Sequence, residues 1–399
     1  MTLLFIFVFF YFLGFVFSPF PYWPVYFKLW KHLLFDGSKQ IGLNSRLIQI
    51  RFLLINFFQT PIWTLLWFLD EIFFSSYKRF KVRPVFILGQ PRCGTTLLHR
   101  TLASDTKNFF AIRHFEWRYP FIIVQKMVEW FNLKDWIQNK NYWPDTEVGR
   151  KAAHMHPNSL YDWEEDGIFF EERFLYHFFI FLRFPYPKLL PYLDAYPLLS
   201  EQVQKHFLSV HQKVIQKIMY MRGDEHLLYL SKEVTSHSKF KRLISLYPDA
   251  QFVVSVRPSS EFMSSLLELV LRSTQSKTGL DAMTIPDWEA SFMERMREDT
   301  LILVDLSRNI IQKDRQILLT FCELNINITR EIYRIYDHLR LTVGSGQLQY
   351  LQSLAKKQIS RNRCYDYQIQ SFEGFDIYDQ FVNEVQMMYH EANRDLKAG

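Results

Sequence analysis

A chain of 399 residues exceeds what one hydrophobic core ordinarily fills, so it accommodates either one large domain with an appendage or two domains. Apolar residues make up 48% and aromatic residues 18%, with Phe alone at 39, so a large core can be buried and the aromatic excess points to membrane or interface surface. A formal net charge of +6 gives no sign of a nucleic-acid partner at this length, although a local basic pocket would still serve a polyanionic cofactor. Cys93, Cys322 and Cys364 are odd in number and far apart, which excludes a disulfide framework and a metal-ligand spacing.

The first 27 residues carry no charged side chain, and Leu3 to Phe17 is apolar apart from Gly14 and Tyr11. Fifteen helical residues reach about 22 Å, short of the roughly 30 Å hydrocarbon core, and Pro19, Pro21 and Pro24 prevent a simple continuation. With no basic segment before it and no small-residue cleavage site after it, this stretch reads as a membrane anchor rather than a signal peptide. Tyr22, Trp23, Tyr26 and Trp30 read as an interfacial aromatic belt that completes an anchor over residues 1–30. Residues 31–82 read as an amphipathic helical extension. Its second apolar stretch, Phe52 to Phe74, carries Asn56, Gln59, Pro61, Asp70 and Glu71, which fits helices lying on the membrane or capping the rest.

The third segment, 83–399, opens with RPVFILGQPRCGTTLLHRTLASD. Val85 to Leu88 has the length of a buried parallel strand, and Leu97 to Ala103 suits a helix packed back on it. Such a strand, loop and helix aims free backbone N–H groups and the positive end of the helix dipole at one spot, a cradle for an anion. Gly89 and Gly94 keep the glycine spacing of a nucleotide-triphosphate loop, but Thr95 stands where its Lys would be and Arg92 lies inside the loop. An Arg beside Thr95 and Thr96 suits a nucleotide carrying a compact oxyanion held without a metal.

Phe109 to Ile112 reads as a second strand leading into HFEWRYP, which puts Glu116 near that strand's carboxyl end. His154 and His156, in HMHPNSLYDWEED, lack a third fixed partner and are weak metal ligands. Helices are expected over 168–222, a strand from His226 to Leu230 followed by SKEVTSH, and a helix from Phe240 to Leu246. Gln251 to Val256 reads as a strand ending in Arg257-Pro258, then a helix from Ser259 or Ser260 through Leu271, so Arg257 and Ser265 share one end of the sheet. Residues 272–287 read as a mobile loop, and 288–320 and 329–341 as long helices. Asn327 opens the one glycosylation sequon.

The loop GQPRCGTTLLH resembles the 5′-phosphosulfate loop of sulfotransferases that use 3′-phosphoadenosine 5′-phosphosulfate (PAPS), commonly PRSGTT, with Cys93 in place of Ser. VSVRPSSEFMSSL resembles the family's 3′-phosphate motif, and YPDAQFVVSVRP its FPDA-x-FV-x-x-x-RDP run, here without the Asp after the Arg. The two motifs stand in the family's order, each after an expected strand. The resemblance covers roughly 84–390. It implies an α/β fold, a P-loop-like parallel β-sheet flanked by helices, here with an N-terminal hydrophobic extension. It also implies PAPS as co-substrate with no metal. Arg92, Cys93, Gly94, Thr95 and Thr96 would hold the 5′-phosphosulfate, and Arg257 and Ser265 the 3′-phosphate. Arg361 and Arg363 match a basic loop that closes over the cofactor. Lys232 resembles the Lys that supports the leaving oxygen. Glu116 is the first candidate for the general base, and Glu165, in a run resembling P-x-E-D-E, the second; His237 faintly echoes a third arrangement.

The acceptor would be a hydroxyl or amine on a small molecule, glycan, lipid or protein, with a membrane as partner, no nucleic acid, and a homo-oligomer compatible with the sequence. A P-loop nucleotide kinase and a non-catalytic membrane scaffold with a degenerate site are the rival readings. Membrane-anchored relatives acting on exported acceptors imply a lumenal catalytic domain in the Golgi or endoplasmic reticulum, whereas the basic residues Lys28 to Arg51 would hold that side in the cytosol.

Overall fold

A computed structural model describes residues 2–6, 8–9, 22–35, 41–140, 142–175, 178, 182–193, 196–223, 225–234, 237–359 and 370–398, with backbone alone for 192–193, 237, 357–359 and 390–398. By packing, the chain divides into a sheet unit (83–111, 226–268 and 293–399) and a helical unit (1–82, 112–225 and 269–292). In chain order the elements used below are α1 (Trp23–Phe35), α2 (Leu43–Phe73), β1 (Pro84–Gly89), α3 (Thr95–Ala103), β2 (Phe109–Phe110), α4 (His114–Arg118), α5 (Ile122–Trp130), α6 (Glu201–Arg222), β3 (Leu228–Glu233), α7 (Phe240–Leu246), β4 (Gln251–Val256), α8 (Ser259–Thr278), α9 (Trp288–Asp305), β5 (Gln316–Thr320), α10 (Ile328–His338), α11 (Ser345–Ile359) and α12 (Asp376–Ala398).

The sheet unit is built on five parallel strands in the order β2-β3-β1-β4-β5. Every residue of β1 is buried, which is why the strand reads as an unbroken apolar run rather than an alternating one. Val85 pairs with Leu230 on one side and Gln251 on the other, and Gly89 sits against Ser255. The chain leaves β1 toward the β3 side and leaves β4 toward the β5 side. The carboxyl ends of these neighbours therefore diverge, which is where open α/β sheets form their ligand crevice.

Two sequence expectations are corrected here. The helix expected over 288–320 runs as an α-helix to Asp305 and as a π-helix from Leu306 to Ile310, and Gln316–Thr320 forms β5, paired from Phe252–Gln316 to Val256–Thr320. The run Ile317-Leu318-Leu319 is too short for periodicity to distinguish strand from helix, and sheet pairing decides. The loop expected over 272–287 is instead helical through Thr278. Ser273 and Thr278 turn their hydroxyls back onto the carbonyls of Leu269 and Thr274, so this polar stretch still satisfies the helix, and Gly279, at φ +73°, ends it.

In the helical unit, Phe52 to Phe74 is not several helices but the larger part of one, α2, which is long and apolar enough by composition to cross a membrane. Pro61 lies inside it and removes one backbone donor, while Thr60 and Thr64 donate to the carbonyls of Asn56 and Thr60 on either side. Tyr26, expected in an aromatic belt, is a core residue: it is buried and its hydroxyl donates to the Leu53 carbonyl at 3.0 Å. The anchor stretch 10–21 lies outside the described residues.

The helical unit is fastened at Asp70. Its carboxylate accepts from the Lys217 ammonium at 3.1 Å and from the backbone N–H groups of Ile122 and Ile123 at 2.7 and 3.1 Å, capping the start of α5. Neither side chain of the pair is exposed, and the ammonium sits 3.3 Å from the centre of the Trp67 ring. Lys217→Met should therefore destabilise the protein by about 3–5 kcal/mol by stranding the carboxylate, and adding Asp70→Asn should recover much of that loss. Urea unfolding followed by tryptophan fluorescence measures both, and a single mutant as stable as the parent would contradict this role.

Candidate active site

The strand, loop and helix expected from Val85 to Ala103 are formed. Gly89 has no room for a side chain, since a Cβ there would lie 2.4 Å from the Ser255 carbonyl oxygen. The chain then turns through Arg92 at φ +71° and Gly94 at φ +84°, both left-handed. A Cβ on Gly94 would also meet Leu324 and Phe321 at 2.8 and 2.9 Å. For Arg92, a left-handed backbone is a cost that its surroundings must over-determine, and they do. Its Nε donates to Ser265 Oγ at 2.8 Å, and its carbonyl accepts from Arg257 Nη1 at 3.0 Å. The N–H groups that open α3 have no partners within that helix and point out of the turn.

Arg257 holds several pieces at once. Besides the Arg92 carbonyl, its guanidinium meets Glu261 at 2.9 Å and lies 4.2 Å from the centre of the Phe321 ring, while its backbone N–H donates to Tyr378 Oη at 3.4 Å. Ser265 thus lies beside Arg92, whose carbonyl Arg257 holds. Lys232, near the end of β3 and buried, donates to Thr96 Oγ1 at 3.2 Å. Arg92, Thr96, Lys232, Arg257 and Ser265 are therefore gathered in the sheet unit around the start of α3.

Cys93 does not supply a side-chain donor to the cradle. Its thiol is buried 4.0 Å from Tyr378 Oη, and burial pushes it up to about 12, so it is a neutral thiol at physiological pH. Its carbonyl accepts from Ser255 Oγ at 2.6 Å and its N–H donates to the Gln90 carbonyl. The Gln90 side chain was not singled out in the sequence. Its amide is wholly buried with neither end hydrogen-bonded among the described residues, an orphaned polar group inside the loop.

Glu116 and Glu165 belong to the helical unit. Glu116 sits in the short α4, where its carboxylate accepts from the Arg113 N–H at 2.6 Å and from Arg222 Nη2 at 2.5 and 2.6 Å. Glu165 is half-buried, and its N–H donates to Glu164 Oε1 at 3.0 Å. Arg361 and Arg363 lie outside the described residues. Among the described residues no group of His, Cys, Asp and Glu is arranged to hold a metal ion. Tyr378 and Arg222 had no local sequence signal, because each acts on a residue more than a hundred positions away.

The model of the sulfotransferase family matches residues 84–344, which takes in the cradle, β3, the β4 arginine and β5. The chain belongs to the sulfotransferase family. Its fold is similar to those of sulfotransferase STF9 from Mycobacterium avium (14% identity over 90% of this chain and 87% of that one, TM-score 0.63) and sulfotransferase STF1 from Mycobacterium tuberculosis H37Rv (17% identity over 84% and 92%, TM-score 0.59). Among curated proteins none matches. For this member of the family the likeness to solved structures is one of fold.

A buried histidine in the same chain sets a pH limit on stability. His114 is enclosed in the helical unit 4.9 Å from the Tyr142 ring, and burial first, with Arg118 adding to it against Glu164, pulls it down to about 4. Between pH 6.5 and 4 the unfolded chain binds a proton there that the folded protein refuses, so stability is fully present above pH 6.5 and is lost as pH falls through this window. The loss is bounded at about 3 kcal/mol at 1.36 kcal/mol per pH unit. Comparing His114→Phe with the parent between pH 7 and 4.5 should show a flatter melting-temperature profile in the mutant; parallel profiles would contradict this.

Proposed function

We propose that the protein transfers a sulfuryl group from PAPS to a hydroxyl or amine acceptor, releasing adenosine 3′,5′-bisphosphate. The observation that carries the reading is the cluster of Arg92, Lys232 and Arg257 around the amino end of α3, bonded to Ser265, Thr96 and the Arg92 carbonyl, with Glu261 also on Arg257. A group with two anionic ends fits that set, and the orphaned Gln90 amide offers it a further neutral partner. In this reading the α3 N–H groups, Arg92, Thr95 and Thr96 hold the phosphosulfate end. Arg257, with Ser265 acting through Arg92, holds the 3′-phosphate.

PAPS, when bound, supplies an activated S–O bond, and the protein positions the reactants and stabilises charge. Lys232 neutralises negative charge on the bridging oxygen as that bond breaks. Glu116 takes the proton from the acceptor as its oxygen or nitrogen bonds to sulfur, and Arg222 and the Arg113 N–H fix the direction of its carboxylate. Glu165 is the alternative base. Residues 1–30 attach the enzyme to a membrane, 31–82 extend that attachment, and 83–399 carry the transferase. The uncharged first 27 residues support the attachment. An exported acceptor would place the catalytic part in the lumen of the secretory pathway, which glycosylation at Asn327 would report.

Adenosine 3′,5′-bisphosphate should bind more tightly than AMP, and Arg257→Ala should remove most of that preference, a charge-assisted contact of roughly 1.5–3 kcal/mol. Titration calorimetry measures both nucleotides, and equal affinities in the unmutated protein would rule out PAPS. Glu116→Gln keeps the shape of the side chain but cannot accept a proton at neutral pH, so turnover should fall by roughly two to four orders of magnitude with nucleotide affinity unchanged. A mutant of near-parental activity, with Glu165→Gln inactive, would transfer the role of base to Glu165.

A further inference from the structure

Helix α2 is amphipathic in the inverted sense. Its buried positions are Ser45, Gln49, Leu53, Asn56, Thr60, Pro61, Trp63, Thr64, Trp67 and Asp70, of which six are polar. Its outward positions from residue 52 to the end are Leu54, Ile55, Phe58, Ile62, Leu65, Phe68, Ile72 and Phe73, every one apolar and 39% exposed or more. The spacing of three and four places them along one side of the helix. A surface helix in water shows the opposite arrangement. Eight large apolar side chains in one stripe also exceed the few hundred Å² of contiguous apolar surface that soluble monomers carry.

The polar inner face explains how the helix is held. Gln49 donates to the Arg183 carbonyl and accepts from Tyr186 Oη, Tyr26 donates to the Leu53 carbonyl, and Asp70 binds Lys217 and the start of α5. The helix is thus fastened to its own unit from residue 49 to residue 70, so lipid cannot surround it and only the outer stripe is available. Cations stand at both ends of that stripe: Arg46 and Arg51 before it, and the exposed Arg79 and Lys81 after it. Both acids of the helix are paired, Asp70 with Lys217 and Glu71 with Lys78.

We propose that α2 lies in the plane of a membrane, its outer stripe sunk among the acyl chains and the cations at its two ends on anionic lipid headgroups. The two-ended placement of charge selects this arrangement. A spanning helix needs no cations on its far side. A second copy docked antiparallel about a twofold axis would set Arg46 and Arg51 against Arg79 and Lys81 of its mate. Trp130 and Phe131, 84% and 59% exposed at the end of α5, add apolar surface of the interfacial type to the same unit. The inference rests neither on the sulfuryl chemistry nor on residues 1–30, since α2 would enter the membrane whether or not those residues anchor the chain.

The test uses the full chain carrying Cys322→Ser and Cys364→Ser, with Leu54→Cys, Ile62→Cys or Ile72→Cys labelled with a nitrobenzoxadiazole fluorophore. Each is added to vesicles of phosphatidylcholine and phosphatidylserine whose acyl chains are brominated at known depths. In-plane burial predicts the same shallow depth at all three positions, with binding weakened at least tenfold by replacing phosphatidylserine with phosphatidylcholine. A probe deep at Ile62 and shallow at the other two would mean a span and overturn the proposal. Unquenched probes on vesicle-bound protein would overturn it too and leave residues 1–30 as the sole attachment. Unquenched probes on a dimer would assign the stripe to a second copy.

Discussion

The geometry of the sheet unit's ligand end depends on Arg257. One guanidinium meets Glu261, the Arg92 carbonyl and the face of Phe321, while the backbone N–H of the same residue meets Tyr378. β4, the loop after β1, the first turns of α8 and α12 are thereby tied at one residue. The contact to the Arg92 carbonyl matters most, because it stabilises a non-glycine residue at φ +71°. With that residue in place, Arg92 Nε faces Ser265 and the following turn opens α3 toward the same place. A charged side chain thus holds the backbone conformation on which the proposed anion cradle depends.

Much of this was legible in the sequence, for reasons that particular residues make clear. β1, α3, α7 and β4 were readable because local signals agree: apolar runs of strand length, Gly89 and Gly94 at the turn, Pro248 and Pro258 at the breaks. β5 was not, because three apolar residues carry no period and only the neighbouring β4 decides their state. The pairing of Ser265 with Arg92 was hidden for a related reason. Sequence spacing sets Ser265 on the helix face that Arg257 also approaches, but the left-handed turn at Arg92 brings a second guanidinium there first.

The burial of Cys93 illustrates a further limit. A Cys in a motif position normally held by Ser reads as a lost donor, yet its thiol faces Tyr378, 285 residues later in the chain, and only its main chain serves the loop. Glu116 shows the reverse case. Its place after β2 was readable, whereas the ion pair with Arg222 at the far end of α6 was not. Both depend on long-range packing, on which local propensity and spacing carry no information.

The pair between Arg257 and Glu261 gives the proposed nucleotide site a resident counter-ion. The carboxylate is 40% exposed and lies in the first turn of α8, so it can swing into water while the guanidinium, 11% exposed, stays fixed. An arriving phosphate then exchanges with a tethered anion rather than displacing mobile salt ions from an open cation. Each such exchange sheds one carboxylate into solvent and releases no bulk ion, so the ionic-strength dependence of nucleotide capture is shallower than the number of cations around the cradle suggests.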